Sequence, residues 1–285
     1  MNKATPDPKP NIFWIASYPK SGNTWIRYLI ANYFFNNEKK ENFSIKNFIT
    51  KFPKDNWFNF IESKKKDIIL NPELISKYWI KAQEKIENYI FLKTHNALVS
   101  IEKNSFTNEN HSLAAIHIVR DPRDVVVSYA KFLNRSYDKQ IELLLTEQLH
   151  YNMDKKKPFA VEFLGSWKFH YNSWKNGCPK MKKIIIRYED LLNDTKKEFN
   201  IIISFLSKIL KFQPNNDQIS FAINNSSFDF LSKQEKIHGF DEQNKQKEIF
   251  FRKGKKEQWK EELNIEQIKK IEKNLEKEMR ELGYL

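Results

Sequence analysis

Short apolar runs alternate along this chain with longer stretches of helical periodicity. The runs typical of buried strands are Ile12 to Ala16, Tyr89 to Lys93, Leu113 to Val119 and Lys183 to Tyr188. Apolar residues at helical spacing predict helices over Asp124 to Asn134, Lys139 to Asn152, Val161 to Lys175, Thr195 to Leu210 and Glu266 to Leu282. Alternating strands and helices favour a parallel sheet covered on both faces. The predicted fold class is therefore α/β, as a single three-layer domain around a central parallel sheet.

The polar segments set the limits of this domain. Residues 1–10 contain three prolines and no apolar stretch, which predicts a disordered tail without a signal peptide, and residues 11–285 are assigned to the domain. Lys64 to Asp67 and Lys233 to Lys247 are predicted to be exposed loops, the second a candidate lid. Apolar runs are far shorter than the roughly 20 residues of a membrane span, so no span and a cytoplasmic location are expected.

The charge balance points to anionic partners. Lys and Arg number 49 against 36 Asp and Glu, a formal charge of +13. The excess is also typical of solvated faces in a chain rich in Lys and Asn, and no basic stripe with interleaved aromatics marks a nucleic-acid module. The histidines lack metal-ligand spacing, and the single cysteine, Cys178, cannot form an internal disulfide. No metal and no nucleic-acid partner are expected, and the oligomeric state stays open.

A loop rich in turn-forming residues follows the first strand. Ser17-Tyr18-Pro19-Lys20-Ser21-Gly22-Asn23 precedes a helical pattern that starts near Trp25. Such a P-loop-like strand-loop-helix unit points backbone N–H groups and the positive end of a helix dipole at an anion. The nucleotide-binding P-loop has Lys directly after its second glycine, whereas this chain has Asn23 there. A clamp for the β- and γ-phosphates of a kinase's nucleotide is therefore poorly supported, although a loop that holds a single terminal phosphate fits.

Two further strand ends carry candidate chemistry. Arg120 follows the strand Leu113 to Val119, and Ser128 lies about two helical turns further on, so both could face one anion. Another strand runs into Lys93-Thr94-His95, and ligands in open α/β sheets gather at such carboxyl ends. Since histidine titrates near neutral pH, His95 is a candidate general base.

These motifs together resemble the cytosolic sulfotransferase family. Tyr18 to Trp25 is similar to its 5′-phosphosulfate loop, Arg120 and Ser128 to its 3′-phosphate motif, and Lys93-Thr94-His95 to the segment with its general base. Other matching positions follow in the family's order: Tyr188 on the adenine side, Ser226 and Phe228 in the segment over the adenine, and Arg252, Lys253 and Gly254 in the terminal 3′-phosphate loop. The chain departs from the pattern at Asn23, Asn96, Ala97 and Glu257.

The resemblance implies a sulfotransferase that uses 3′-phosphoadenosine 5′-phosphosulfate (PAPS) as donor and releases 3′-phosphoadenosine 5′-phosphate (PAP), without a metal. The implied donor contacts are Lys20, Ser21, Gly22, Asn23, Thr24, Trp25, Arg120, Ser128, Tyr188, Ser226, Phe228, Arg252, Lys253 and Gly254. His95 would be the base, with Lys20 and Lys93 neutralising developing charge.

The acceptor is expected to be the hydroxyl or amine of a small molecule. Aromatic residues between Phe43 and Trp79, and Tyr137, suggest an apolar or phenolic one. Two alternatives remain: a P-loop-like small-molecule kinase, and a nonenzymatic nucleotide-binding protein.

Overall fold

The computed structural model describes residues 10–36, 45, 48–238 and 254–285. The strands are β1 (Ile12–Ser17), β2 (Thr50–Lys51), β3 (Ile90–Thr94), β4 (Ser100–Ile101), β5 (Asn104–Ser105), β6 (Ser112–Val119), β7 (Tyr151–Asp154), β8 (Lys157–Phe163) and β9 (Lys182–Arg187). The α-helices are α1 (Asn23–Phe34), α2 (Lys65–Leu70), α3 (Trp79–Gln83), α4 (Pro122–Leu133), α5 (Tyr137–Leu145), α6 (Trp167–Asn176), α7 (Tyr188–Asn193), α8 (Thr195–Leu210), α9 (Asn216–Asn224), α10 (Phe228–His238), α11 (Trp259–Glu262) and α12 (Ile265–Glu281). Two 3₁₀ segments cover Asp55–Lys64 and Pro72–Tyr78.

The central sheet has five parallel strands in the order β2-β3-β1-β6-β9. All six residues of β1 are buried, as expected for a strand covered on both faces. The register of β1 and β3 pairs Ile12 with Ile90 and Ala16 with Thr94, so the two strands end side by side. The predicted α/β class with a central parallel sheet is confirmed, and each of its four predicted strands is found within one residue of the expected limits.

Contacts between residues divide the described chain into two compact units. The first comprises residues 10–18, 49–117 and 147–185, and the second comprises the other described residues. The assignment of 11–285 to one domain stays a prediction.

Aromatic side chains fill the core of the first unit. Trp14, Phe52, Trp79, Phe106 and Trp174 are fully buried in one cluster. Their rings meet at edge or tilted angles, with the Trp14 and Phe106 centroids 5.1 Å apart. The buried Trp14 indole N–H donates to the Ser112 hydroxyl over 2.7 Å, so its polar atom is satisfied.

Helices build the second unit. α1 and α8 bury their apolar faces through residues such as Ile26, Leu29, Ile202 and Leu206. α4 starts at Pro122, whose missing N–H costs nothing at the first helical position, and the Asp121 side chain caps the Arg123 N–H. The helices predicted over 124–134, 195–210 and 266–282 are confirmed as α4, α8 and α12.

Two helix predictions were wrong in part, because a β-hairpin occupies their junction. The helix predicted over 139–152 ends at Leu145, and the one predicted over 161–175 starts only at Trp167. Between them, β7 pairs with β8 in an antiparallel hairpin. Phe159, Val161 and Phe163 are buried at a period of two, which is a strand pattern. Gly165, with a φ of 64°, then separates the strand from α6, because this backbone angle belongs to neither a strand nor a helix.

The predicted loops had mixed outcomes. Lys64 to Asp67 is largely exposed as expected, but it is helical, spanning the end of a 3₁₀ segment and the start of α2. Of the segment Lys233 to Lys247, residues up to 238 belong to α10 and the rest lies outside the described residues, as does the predicted tail up to residue 9.

Candidate functional site

The loop after β1 has a backbone that only certain residues can adopt. Lys20 has a φ of 67° and Gly22 a φ of 100°. The Gly22 carbonyl accepts the N–H groups of Trp25 and Ile26, which starts α1. A Cβ on Gly22 would lie 2.7 Å from Cδ2 of Tyr188. Glycine is therefore required here both for its backbone angle and for the close approach of the tyrosine ring.

The polar groups of this loop are arranged for an anion. No side chain of the described residues caps the N-terminus of α1. The Ser21 hydroxyl is fully buried and has no hydrogen-bond partner in the described part of the chain. A buried hydroxyl without a partner is costly, and an uncapped helix N-terminus carries positive partial charge. A phosphate or sulfate oxygen would satisfy both. Asn23 and Thr24, also predicted contacts, are buried in the first turn of α1.

Arg120 directly follows β6 and is almost fully buried. Its Nη1 donates to the Lys20 carbonyl over 3.1 Å, and its Nη2 donates to the Lys255 carbonyl over 3.0 Å. The Asp124 carboxylate lies 3.7 Å from Nη2. A guanidinium has five N–H donors, so donors remain for an anion, and Nε is buried without a partner among the described residues. Arg120 thus links the loop after β1 to the segment after Gly254.

An aromatic ring packs against the Arg120 guanidinium. The guanidinium carbon lies 4.5 Å from the centroid of the Tyr188 ring, a cation–π contact. The same ring meets Trp25 edge-on, with 5.9 Å between centroids. Burial raises the pKa of the Tyr188 hydroxyl, so it stays protonated at neutral pH. Lys20, Gly22, Trp25, Arg120 and Tyr188, all predicted from sequence, are therefore in one cluster in the second unit.

The remaining predicted donor contacts have separate surroundings. Ser128 is partly exposed on α4, and the buried Ser226 hydroxyl accepts from Nδ2 of Asn32 over 3.1 Å. Phe228 packs on Gly254, where a Cβ would lie 2.4 Å from its Cδ2 and φ is 58°. Arg252 and Lys253 lie outside the described residues.

In the first unit, His95 directly follows β3. Its Nδ1 lies 2.8 Å from the Ser17 carbonyl oxygen. Because a carbonyl oxygen can only accept, Nδ1 carries the proton and Nε2 keeps a lone pair. Burial, followed by the charge of Lys93, lowers the pKa of His95 to about 3, although Glu162 and the Ser17 bond act in the other direction. His95 is therefore neutral at pH 7, the form that a general base requires.

Glu162 on β8 is a residue of this site that the sequence prediction missed. One carboxylate oxygen accepts the His95 backbone N–H over 3.1 Å and lies 3.9 Å from the Lys93 ammonium. The other lies 2.9 Å from the Lys51 ammonium. Burial alone would raise the pKa of Glu162, but Lys51 and Lys93 outweigh it and the pKa is lowered. The interaction was missed because this stretch was predicted to be helix.

The helix α6 is part of the core of the first unit. Trp167, His170 and Trp174 are buried, and the Trp174 indole donates to the Asn96 carbonyl over 2.9 Å. The His170 ring hydrogen-bonds to the backbone of His95, and burial lowers its pKa to about 3. These residues support the strand end that carries His95.

Buried charges also brace the second unit. Arg123 is buried, and its guanidinium carbon lies 3.8 Å from the centroid of the Trp259 ring. The Asp124 carboxylate accepts the N–H groups of Glu257 over 2.7 Å and Trp259 over 3.1 Å. These bonds from Asp124 on α4 hold the segment after Gly254 in place. No sequence pattern predicted these contacts, because the partners lie more than a hundred positions apart.

Comparison with known proteins identifies the family of this chain. The model of the sulfotransferase domain family matches residues 10–283. The chain belongs to the sulfotransferase family, and the prediction that it is an enzyme of the cytosolic type is confirmed.

Named relatives share modest sequence identity. The chain is 28% identical over 199 residues to Cytosolic sulfotransferase 1 of Danio rerio, covering 70% of this chain and 60% of that protein. It is 26% identical to Flavonol 3-sulfotransferase of Flaveria bidentis, covering 96% of this chain and 83% of that protein.

A solved structure of mouse sulfotransferase SULT7A1 complexed with PAP superposes with a TM-score of 0.61 at 20% identity, covering 95% of this chain and 84% of that one. The two proteins therefore share a fold. Within the described residues, no helix is long and apolar enough to cross a bilayer.

Proposed function

We propose that this protein transfers a sulfuryl group from PAPS to the hydroxyl or amine of a small-molecule acceptor. The observation that carries the proposal is the loop that enters α1. Among the described residues, its buried Ser21 hydroxyl has no partner and no side chain caps the helix, and Arg120 donates to its Lys20 carbonyl. This arrangement offers donors to a nucleotide that carries two anionic groups. The mouse sulfotransferase that shares the fold was solved with PAP, which supports the choice of donor.

The residues divide between the two ends of the donor. The Lys20–Trp25 loop would hold the 5′-phosphosulfate through backbone N–H groups, hydroxyls and the Lys20 ammonium. Arg120 and Ser128, with Arg252, Lys253 and Gly254, would bind the 3′-phosphate. The rings of Trp25, Tyr188 and Phe228 would contact the adenine, with Ser226 in the same segment.

His95 would accept the proton of the acceptor. Its Nε2 lone pair is available because Nδ1–H is committed to Ser17. In the reaction, the acceptor oxygen or nitrogen bonds to sulfur, its proton passes to Nε2, and the bond from sulfur to the bridging oxygen of the 5′-phosphate breaks. The cations Lys20 and Lys93 would neutralise the charge that grows on that oxygen.

For the acceptor, an apolar or phenolic molecule remains the proposal. Its support is the relative whose name specifies a flavonol. The aromatic residues that suggested it divide into two sets: Phe52, Phe58 and Trp79 are fully buried core, while Trp57, Phe60 and Tyr78 keep exposed surface. The second set is the one available to an acceptor. Tyr137 donates its hydroxyl to Glu262 over 2.7 Å in the other unit.

Thermal unfolding tests the donor assignment. A ligand at a hundred times its dissociation constant stabilises a protein by about 2.7 kcal/mol. PAP should therefore raise the melting temperature by several degrees, and Mg-ATP should not. Stabilisation by Mg-ATP alone would favour a small-molecule kinase. Stabilisation by PAP without turnover of PAPS across a broad acceptor screen would favour a nonenzymatic nucleotide-binding protein.

A further inference from the structure

We infer that Glu189, held by Tyr284, is a positioning residue for the donor site, an inference that rests on the proposed function. Glu189 directly follows Tyr188, and its Oε1 accepts the backbone N–H of Asp121 over 3.0 Å. Asp121 in turn directly follows Arg120. One carboxylate therefore joins the backbone beside the guanidinium to the backbone beside the aromatic ring, and these two groups lie 4.5 Å apart.

The second oxygen of Glu189 has its own partner. The Tyr284 hydroxyl donates to Oε2 over 2.9 Å. The Tyr284 carbonyl accepts from Nη2 of Arg123 over 3.0 Å, and the same nitrogen lies 2.7 Å from the Asp121 carboxylate. Asp121, Arg123, Tyr284 and Glu189 thus form a closed ring of hydrogen bonds. Arg120, the residue proposed to bind the donor, directly precedes Asp121 and is therefore attached to this ring.

Because this ring of hydrogen bonds is buried, it is sensitive to the loss of any one of its side chains. Glu189 is 8% exposed, so each oxygen depends on its hydrogen bond rather than on water. The centroid of the Tyr284 aromatic ring also lies 4.7 Å from the Arg187 guanidinium carbon, and this cation–π contact holds the tyrosine side chain in place. Removing the carboxylate would leave the Asp121 N–H without an acceptor and free the backbone that follows Arg120. The 3′-phosphate contact would then lose its preorganised geometry.

The consequence is specific to one group of the donor. PAP and adenosine 5′-monophosphate (AMP) share the adenine and the 5′-phosphate, and only PAP has the 3′-phosphate. A general loss of folding would weaken both nucleotides alike. Displacement of Arg120 would weaken PAP more than AMP. The positioning role therefore predicts a fall in the ratio of the AMP dissociation constant to the PAP dissociation constant.

Isothermal titration calorimetry with PAP and AMP tests this on the full chain. Glu189→Ala should lower the ratio about tenfold, the size of one hydrogen bond to a charged group. Tyr284→Phe, which removes only the hydroxyl, should lower it by a smaller factor. Glu189→Gln keeps an oxygen acceptor for the Asp121 N–H and should restore most of the ratio. Asp217→Asn, a change to an exposed carboxylate on α9 in the same unit, is the control and should leave the ratio unchanged.

The outcomes separate this inference from the proposed function. If the unmodified protein does not bind PAP, the donor assignment fails and the inference fails with it. If the unmodified protein prefers PAP to AMP and both Glu189→Ala and Tyr284→Phe keep that preference, only the positioning role is overturned. Should Glu189→Ala not fold, Tyr284→Phe and Glu189→Gln still decide, because both keep the packing volume almost intact.

Discussion

The imidazole of His95 donates its Nδ1 proton to the main-chain carbonyl of Ser17 over 2.8 Å. β1 and β3 end side by side in parallel register, which brings the last residue of one strand next to the residue after the other. The strand register therefore selects the tautomer of the proposed base. No hydrogen bond from another catalytic side chain is needed for this.

Replacing His95 with alanine should lower turnover by about 10²–10⁴-fold, the contribution of a positioned general base. PAP affinity should stay close to that of the unmodified protein. The assay needs an acceptor, found by screening phenols, alcohols and amines with radiolabelled PAPS. His150→Ala, at a partly exposed histidine of the same unit, is the control. Near-normal turnover of His95→Ala would remove this residue from the mechanism.

The buried histidines should make stability fall with acid. Burial lowers the pKa of His170 to about 3 and that of His117 well below its usual value. Below the pKa of about 6.5 of an unfolded histidine, the unfolded chain binds protons that the folded chain does not. Stability is thus full above that pH and declines by roughly 1.4 kcal/mol per pH unit for each such group down to the folded pKa.

Urea unfolding at several values between pH 7 and pH 4 would measure this slope. His170→Gln should reduce it by about one proton, or roughly 1.4 kcal/mol per pH unit. Parallel stability curves for the variant and the unmodified protein would contradict the assignment of a neutral buried His170.

Glu162→Ala should destabilise the fold by about 1–3 kcal/mol, because it leaves the His95 N–H without its acceptor. It also removes the negative charge between Lys51 and Lys93, two cations on adjacent strands. Glu162→Gln keeps an acceptor and should lose less. Glu147→Ala, which breaks an exposed ion pair with Lys168, should cost much less in the same urea titration, because water screens exposed charges. Equal losses for the two alanine variants would refute the bridging role.

The sequence predicted the central sheet well and the hairpin poorly, for physical reasons. A continuous apolar run marks each of the strands β1, β3, β6 and β9, so these strands can be recognised without knowledge of what they pack against. The hairpin formed by β7 and β8 has its period-two pattern interrupted by Glu162, which is buried only because Lys51 and Lys93 pair with it. Ion pairs with residues 111 and 69 positions away cannot be recognised from local periodicity.

The proposed donor motifs could be recognised in the sequence because each is a continuous segment with a characteristic order of residues. Their supports were not. Glu189, Asp124 and Tyr284 act through contacts with residues that lie far away in the sequence. Their chemistry follows from burial and partner geometry, which a single sequence does not contain.

Gly22→Ala should disrupt the loop Lys20–Trp25, which is proposed to hold the 5′-phosphosulfate. The substitution puts a side chain at a φ of 100° and a Cβ 2.7 Å from the Tyr188 ring. We expect a stability loss of about 1–3 kcal/mol and at least tenfold weaker PAP binding, since the loop and the ring must both move. Gly283→Ala is a matched control for the stability loss alone, because Gly283 also has a positive φ, of 70°, but the nearest neighbour of its new Cβ would be 3.8 Å away. A Gly22→Ala protein with unchanged PAP affinity would contradict the loop assignment.

Arg120→Ala should weaken PAP binding by about 10–100-fold, the loss expected when a charge-assisted contact to a phosphate is removed. The side chain also bonds the Lys20 and Lys255 carbonyls, so part of the loss would come from the loosened loop. Calorimetry with AMP separates these contributions, because the loop effect acts on both nucleotides and the 3′-phosphate contact acts on PAP alone. Arg135→Ala, at an exposed arginine of the same unit, removes the same charge without these bonds and serves as the control. If Arg120→Ala bound PAP with the affinity of the control, the 3′-phosphate would have to be held by other residues.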